Sequence, residues 1–350
     1  MSTEDGSESD PTASGWSTGS QDEPMSPLSM RPRRLRLPLV LIALMVTVCN
    51  CSTDNDNRWL TSGQVYQARG KHREAIRCFT KALEIDSVLV DAIASRAASY
   101  IELGLLDSAI FDLERATRLD PNNVVVRHNR GFLSFRLGDY SSAVRELDCA
   151  IAIDPADTEA FYMRAASKAG MGELEQAIED YTRSLYMNPT YAHSYRERGM
   201  AYDKLGDKEK ALADYNRSVD VDSEFYLGYI ERAAFREREG EPQLALEDYS
   251  CAISIDSTNP FAYVNRSSLY LDMGQFSAAK ADCLKLLRLM PESPFPHINL
   301  AKSQLGLGDT AAAVSAYEMA LKMPGHSDPQ FKADIRRRVE ALHSKLSKGH

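Results

Sequence analysis

The chain has 350 residues, 43% of them hydrophobic and 26% charged, with 50 acidic against 41 basic side chains and a net charge of −9. These proportions exclude a chain that is disordered or collagen-like throughout, and the acidic balance excludes nucleic-acid binding through a broad basic surface. Charge is also unevenly placed: residues 1–30 carry −6, 31–36 carry +4 and 330–350 carry +4, which leaves −11 on 37–329.

Residues 1–30 are rich in Ser, Thr, Gly, Asp, Glu and Pro, with Trp16 as the one aromatic. So little apolar surface cannot offset the entropy of ordering, which predicts a disordered acidic tail. Arg31-Pro32-Arg33-Arg34-Leu35-Arg36 follows, then the uncharged run Leu37 to Val48 and Cys49-Asn50-Cys51. A basic flank, an apolar run and a small polar region lay out a secretory signal over 31–51. A spanning helix needs about 20 apolar residues; the run extended to Thr53 supplies 17, so a short single-pass anchor is the alternative. Met30 directly precedes the arginines, and a start there would leave 1–29 upstream of the translated chain. A cysteine after the apolar run resembles the bacterial lipoprotein signal, which implies acylation of Cys49 or Cys51. Val48 and Asn50 depart from the small residue that this pattern wants before its cysteine. Residues 52–55 read as a tether. The expectation is a membrane-associated protein whose body lies outside the cytoplasm.

From residue 60 onward, glycines recur at a fixed interval of 34: Gly70, Gly104, Gly138, Gly172, Gly206, Gly240, Gly274 and Gly308. Five residues after each stands an alanine, from Ala75 to Ala313. Seven residues before each stands Gly, Ala or Ser. Eight copies without insertion or deletion define a repeat protein. Numbering each copy from residue 56 onward in steps of 34, apolar residues fall at helical spacing on both sides of the glycine. Position 24 holds Phe79, Leu113, Leu147, Tyr181, Tyr215, Tyr249, Cys283 and Tyr317. Small residues at positions 8 and 20 let two helices approach closely. The glycine at position 15 permits the reversal between them. Pro121, Pro155, Pro189 and Pro291 at position 32 end the second helix.

The pattern resembles the tetratricopeptide repeat family. Trp59, Gly63, Tyr66, Ala75, Phe79 and Ala82 carry its signature in the first copy, with Ser87 where the family has proline. Arg127 at position 4, Lys168 and Arg236 at position 11 and Gly325 at position 32 depart from it. The resemblance covers 56–327 as eight repeats: 56–89, 90–123, 124–157, 158–191, 192–225, 226–259, 260–293 and 294–327. It implies an all-α, right-handed superhelical solenoid of antiparallel helix pairs, first helices on the concave wall, that binds peptides or proteins and does no chemistry itself. Residues 328–350 are predicted to cap the array, with Phe331, Ile335, Val339, Leu342 and Leu346 as one apolar stripe opposite Lys332, Arg336, Arg337, Arg338 and Lys345.

No catalytic, metal-ligating or phosphate-cradling constellation is legible, so neither cofactor nor metal is expected. Cys78, Cys149, Cys251 and Cys283 read as buried structural thiols. One polar pattern recurs: Arg96, Arg130, Arg164, Arg198, Arg232 and Arg266 at position 7 face Asp112, Glu146, Asp180, Asp214, Asp248 and Asp282 at position 23. These predict interhelical salt bridges that set register. The resemblance further implies that positions 2, 5, 9, 12 and 13 face the groove. An aromatic stretch (His128, Phe132, Phe135, Arg136, Tyr162) and a second apolar stretch (Phe261, Val264, Leu271, Phe295, Ile298, Leu305) would then flank a charged middle that includes Arg196 and Lys204. The two phenylalanines and Tyr162 are expected to face solvent. The function so read is a membrane-tethered, non-catalytic scaffold for a protein or peptide. The alternative is a ligand-binding accessory component of a transport or envelope-enzyme complex.

Overall fold

The computed structural model describes residues 54–324 and 329–348. Among them every element is an α-helix. They are α1 Asp54–Ala68, α2 His72–Ile85, α3 Val90–Glu102, α4 Leu106–Leu119, α5 Val124–Arg136, α6 Tyr140–Ile153, α7 Thr158–Gly170, α8 Leu174–Met187 and α9 Ala192–Lys204. These are followed by α10 Lys208–Val221, α11 Tyr226–Arg238, α12 Pro242–Ile255, α13 Pro260–Asp272, α14 Phe276–Leu289, α15 Phe295–Gly306, α16 Thr310–Lys322 and α17 Pro329–Lys348. Two compact units divide the described residues, one ending at Gly206 and one beginning at Asp207.

Each reversal inside a repeat is built the same way. The position-15 glycine sits at φ between +70° and +82°, the left-handed region that only glycine enters freely. In the first repeat the amide of Lys71 then donates to the Tyr66 carbonyl at 2.9 Å and Gly70 to Gln67 at 2.9 Å, closing the C-terminus of α1. After each of the first six repeats, position 31 holds Asp86, Asp120, Asp154, Asn188, Asp222 or Asp256. The side-chain oxygen of each accepts the amide two residues on, at 3.0–3.2 Å. That turn satisfies the backbone where the second helix stops.

Packing within each unit follows from the small positions. All eight position-20 alanines are fully buried. A Cβ on Gly131 would lie 2.6 Å from Leu147 Cγ, so at this position 8 the second helix leaves no room even for alanine without a shift. Tyr181, Tyr215, Tyr249 and Tyr317 at position 24 are at most 2% exposed. Burying a large apolar side chain of this kind stabilises by about 1.5–3 kcal/mol. In the first unit, successive first helices (α1, α3, α5, α7, α9) also touch one another, as α11, α13 and α15 do in the second. Helix α17 covers the end of the second unit with Ile335, Val339 and Leu342 buried, and the Phe331 ring lies 5.8 Å from that of Phe295. Leu346, expected in the stripe, is exposed.

The thiols divide. Cys78 and Cys283, at positions 23 and 24, are buried, whereas Cys149 and Cys251 are exposed. Both exposed thiols sit at position 26, on the outward side of a second helix, so the expectation that all four are buried is corrected. Among the described residues no helix is long and apolar enough to cross a membrane. Cys49 and Cys51, the tail 1–30 and the segment 31–51 lie outside the described residues.

Candidate functional site

The arginines of position 7 lie between helices rather than in a cleft. Arg96 donates Nε and Nη2 to the two oxygens of Asp112 at 2.7 and 2.9 Å. The same two-pronged geometry joins Arg164 to Asp180, Arg232 to Asp248 and Arg266 to Asp282, all at 2.6–2.9 Å. Arg130 meets Glu146 at 2.8 Å, and Arg127 donates to the other oxygen of that carboxylate at 2.8 Å. Arg198 and Asp214 belong to different units; Arg198 donates to Thr182 at 2.9 Å.

Each of the four two-pronged guanidiniums has a further partner that the sequence reading missed. Its remaining nitrogen reaches sixteen residues back, to position 25 of the preceding repeat: Arg96 to Thr80, Arg164 to Asp148, Arg232 to Asn216 and Arg266 to Ser250, at 2.6–3.1 Å. One arginine thus ties the second helices of two repeats. Lys168 and Arg236, the departures at position 11, each bring a second cation to the same acid, at 2.7 Å from Asp180 and Asp248. Desolvation pulls Arg164 and Arg232 down, but their hydrogen bonds and the neighbouring charges hold both above the ordinary arginine value.

The expected groove residues fare unequally. Phe132, Phe135 and Tyr162 are 4%, 7% and 1% exposed, and all three belong to one apolar cluster of the first unit with Leu147, Met163 and Tyr181. They do not face solvent. The cause is the contact between successive first helices, which covers positions 5, 9 and 12 wherever a ring is long enough to reach the neighbour. Ile298 and Arg196 are likewise buried, and Arg196 is ion-paired with Glu197. His128, Arg136, Val264, Leu271, Phe295 and Leu305 are half-buried, and Arg136 lies over the Phe132 ring at 5.9 Å. Only Lys204 and Phe261 are exposed.

Charge gathers around His128. Its Nδ1 donates to Asp157 Oδ2 at 3.0 Å, while Asp157 Oδ1 caps α7 by accepting the Glu159 and Ala160 amides at 3.0 and 2.9 Å. Burial works against a charged His128, but the Asp157 hydrogen bond and the charges of Glu159 and Asp157 hold it above the usual histidine value. For Asp157, burial is outweighed by His128 and the two amides, which keep it below the carboxylate range. His193 on α9 shifts the other way: burial, helped by the Arg196 charge, pulls it down to about 3. Glu102, at the end of α3, is pushed up to about 7 by burial, with Arg136 opposing and Glu159 adding repulsion. Tyr162 and Tyr191 meet edge to face at 5.3 Å beside this group. Among the described residues no group of three His, Cys, Asp or Glu is placed to hold a metal ion.

Asp154, Asp157 and Glu159 went unremarked in the sequence. Glu159 occupies position 2 and Glu102 position 13, which the groove rule already marked; attention to aromatic residues passed over them. Asp157 is a helix cap, a role that hides its second oxygen.

The helix pairs, their glycine reversals and their small-residue contacts define a repeat protein of interaction type. Tetratricopeptide repeat models match residues 57–88, 90–123, 162–224, 262–293 and 294–319, together more than half of the chain, and the chain belongs to the tetratricopeptide repeat family. Proteins of this family are generally protein-interaction scaffolds. Among solved structures, a chain from the APC/C hetero-tetramer Cut9–Hcn1 is similar at 20% identity over 80% of this chain and 55% of that one, with a TM-score of 0.59. This chain therefore spans about half the length of that one. A tetratricopeptide repeat protein from Parabacteroides merdae is similar at 20% identity over 72% of this chain and 98% of its own, TM-score 0.50. The pilF protein of Pseudomonas aeruginosa is similar at 19% over 60% and 95%, TM-score 0.51. At these identities the likeness concerns the fold.

Proposed function

We propose that the protein is a non-catalytic scaffold that holds a peptide or protein partner on its first-helix side and is tethered to a membrane through its N-terminal segment. One observation carries the first half. Position 2 of a first helix bears an apolar side chain left out of the core in both units, Val125 at 38% and Phe261 at 40% exposure. Isolated exposed apolar residues are ordinary on any surface, but here the same repeat position is left open in each unit, on the side where its first helices adjoin. Affinity purification of the full chain from a membrane fraction, followed by mass spectrometry, should recover a partner that the variant Val125→Ser with Phe261→Ser loses while keeping its helical signal. Equal recovery by the folded variant would move the binding surface elsewhere.

The tether rests on sequence: a basic flank, an apolar run and Cys49 and Cys51 at its end. A single acyl chain binds a membrane only marginally, so the apolar run or a second lipid would have to contribute. Palmitate labelling and detergent partition test it. Replacing both cysteines by serine should abolish label and release the protein. A wild type that is unlabelled and fully soluble would remove the tether from the proposal.

A further inference from the structure

A cavity of about 390 Å3 opens on the first-helix side of the first unit, among α1, α3, α5, the connection from α6 to α7 and the first turn of α7. Its lining combines Val124, Val125 and Ala98 with the carboxylates Asp154, Asp157 and Glu159. Asn129, buried at its base, is fixed by donating Nδ2 to the Ala94 carbonyl at 2.9 Å. The only base in the lining is His128, and it is committed to Asp157 at 3.0 Å. Asp154 spends one oxygen on the Ala156 amide at 3.0 Å. Among the described residues, neither Asp154 nor Glu159 has a lysine, arginine or histidine of its own within ion-pair distance in this unit, Arg164 being given to Asp148 and Asp180. Three acids against one histidine leave the cavity negative.

We propose that this cavity receives a lysine or arginine side chain of the bound peptide. The inference rests on the peptide-binding reading above and names the chemistry of the residue recognised. The aliphatic stem of either side chain can lie along Val124, Val125 and Ala98 while its charged head reaches Glu159 and the free oxygen of Asp154. An acidic residue there would be repelled, and an apolar one would cover two carboxylates without giving them a partner. The edge-to-face pair Tyr162 and Tyr191 adjoins the same carboxylates, close enough that Glu159 and Asp157 add to the burial that raises the Tyr191 hydroxyl.

The test uses the full-length protein and an immobilised library of acetylated, amidated nonapeptides. Capture should select Lys or Arg at one position. Glu159→Gln with Asp154→Asn, which keeps the turn acceptor of residue 154, should weaken the best peptide about tenfold. Replacing its selected base by norleucine should cost the wild type a similar factor and the variant little. Glu159→Gln alone, a change at one half-buried side chain, provides the same reading if the double variant is less stable. Capture without a basic preference, or a preference undiminished in a folded variant, would overturn the cavity's role and leave the peptide-binding reading standing. No capture of any library member would overturn both.

Discussion

The two units share a skeleton and differ on the face. In both, a position-7 arginine grips a position-23 aspartate with two nitrogens, position-20 alanines are sealed and a tyrosine fills position 24. On the first-helix side the first unit buries Phe132, Phe135 and Tyr162 and surrounds His128 with acids, whereas the second leaves Phe261 exposed and Val264, Leu271 and Leu305 half-buried. The difference teaches that the repeat constrains what holds two helices together and leaves free what they present. Variants should therefore behave alike in the skeleton and unlike on the face.

The largest effect is expected where the first unit has drawn face residues into its core. Phe132→Ala with Phe135→Ala should cost about 3–5 kcal/mol for each ring, because each truncation leaves a cavity among buried neighbours. Phe261→Ala, at 40% exposure, should stay within about 0.5 kcal/mol. Urea unfolding distinguishes these, and an unchanged midpoint for the double variant would place both rings back in solvent.

The skeleton is probed next. Asp180→Ala in the first unit leaves Lys168 without a carboxylate while Arg164 keeps Asp148, and Asp248→Ala in the second leaves Arg232 and Arg236 without one. Each should cost about 3–5 kcal/mol, since an uncompensated buried charge is left behind. Equal losses support a common skeleton; a loss below about 1 kcal/mol in either would show that the arginines find other partners. Ala177→Leu and Ala245→Leu, one per unit and both fully buried, should each lower stability by about 1–3 kcal/mol through overpacking. Thermal denaturation that leaves both unchanged would contradict the helix register.

The smallest effect separates two histidines of one face. His128 is held above its unfolded value by Asp157, so its contribution is complete below about pH 6.5 and is lost as pH rises through its raised folded value. His193, pulled down to about 3, contributes above pH 6.5 and loses that contribution as pH falls from there toward 3. Stability differences between wild type and His128→Gln, and between wild type and His193→Gln, should therefore move in opposite directions across pH 5–8. Parallel pH profiles would mean that Asp157 does not hold the His128 proton.

Much of this is written in the chain because a 34-residue period repeats every local requirement eight times. The glycine at position 15 must adopt positive φ, the alanine at 20 must admit the neighbouring helix, and each recurs until chance is excluded. The arginine and its acid, sixteen residues apart, could be paired by the same arithmetic. Its second reach, sixteen residues back to Thr80, Asp148, Asn216 or Ser250, was equally periodic but varied in residue type, and so carried no visible signature. Lys168 and Arg236 looked like defects until the structure placed each on an acid already shared with an arginine.

What the sequence determined by itself is the fold, because helix pairing depends on residues within a single repeat and the next. What only the tertiary structure decided is the exposure of the face. Phe132 at position 9 and Phe261 at position 2 were both read as facing the groove, yet one is covered and the other is not. That outcome depends on how closely neighbouring first helices approach, which is set by side-chain volumes on two helices at once. The acidic cavity has the same origin: Asp154 and Asp157 are turn and cap residues by sequence and Glu159 a first-helix residue, and they gather around His128 only because one first helix is laid beside the next.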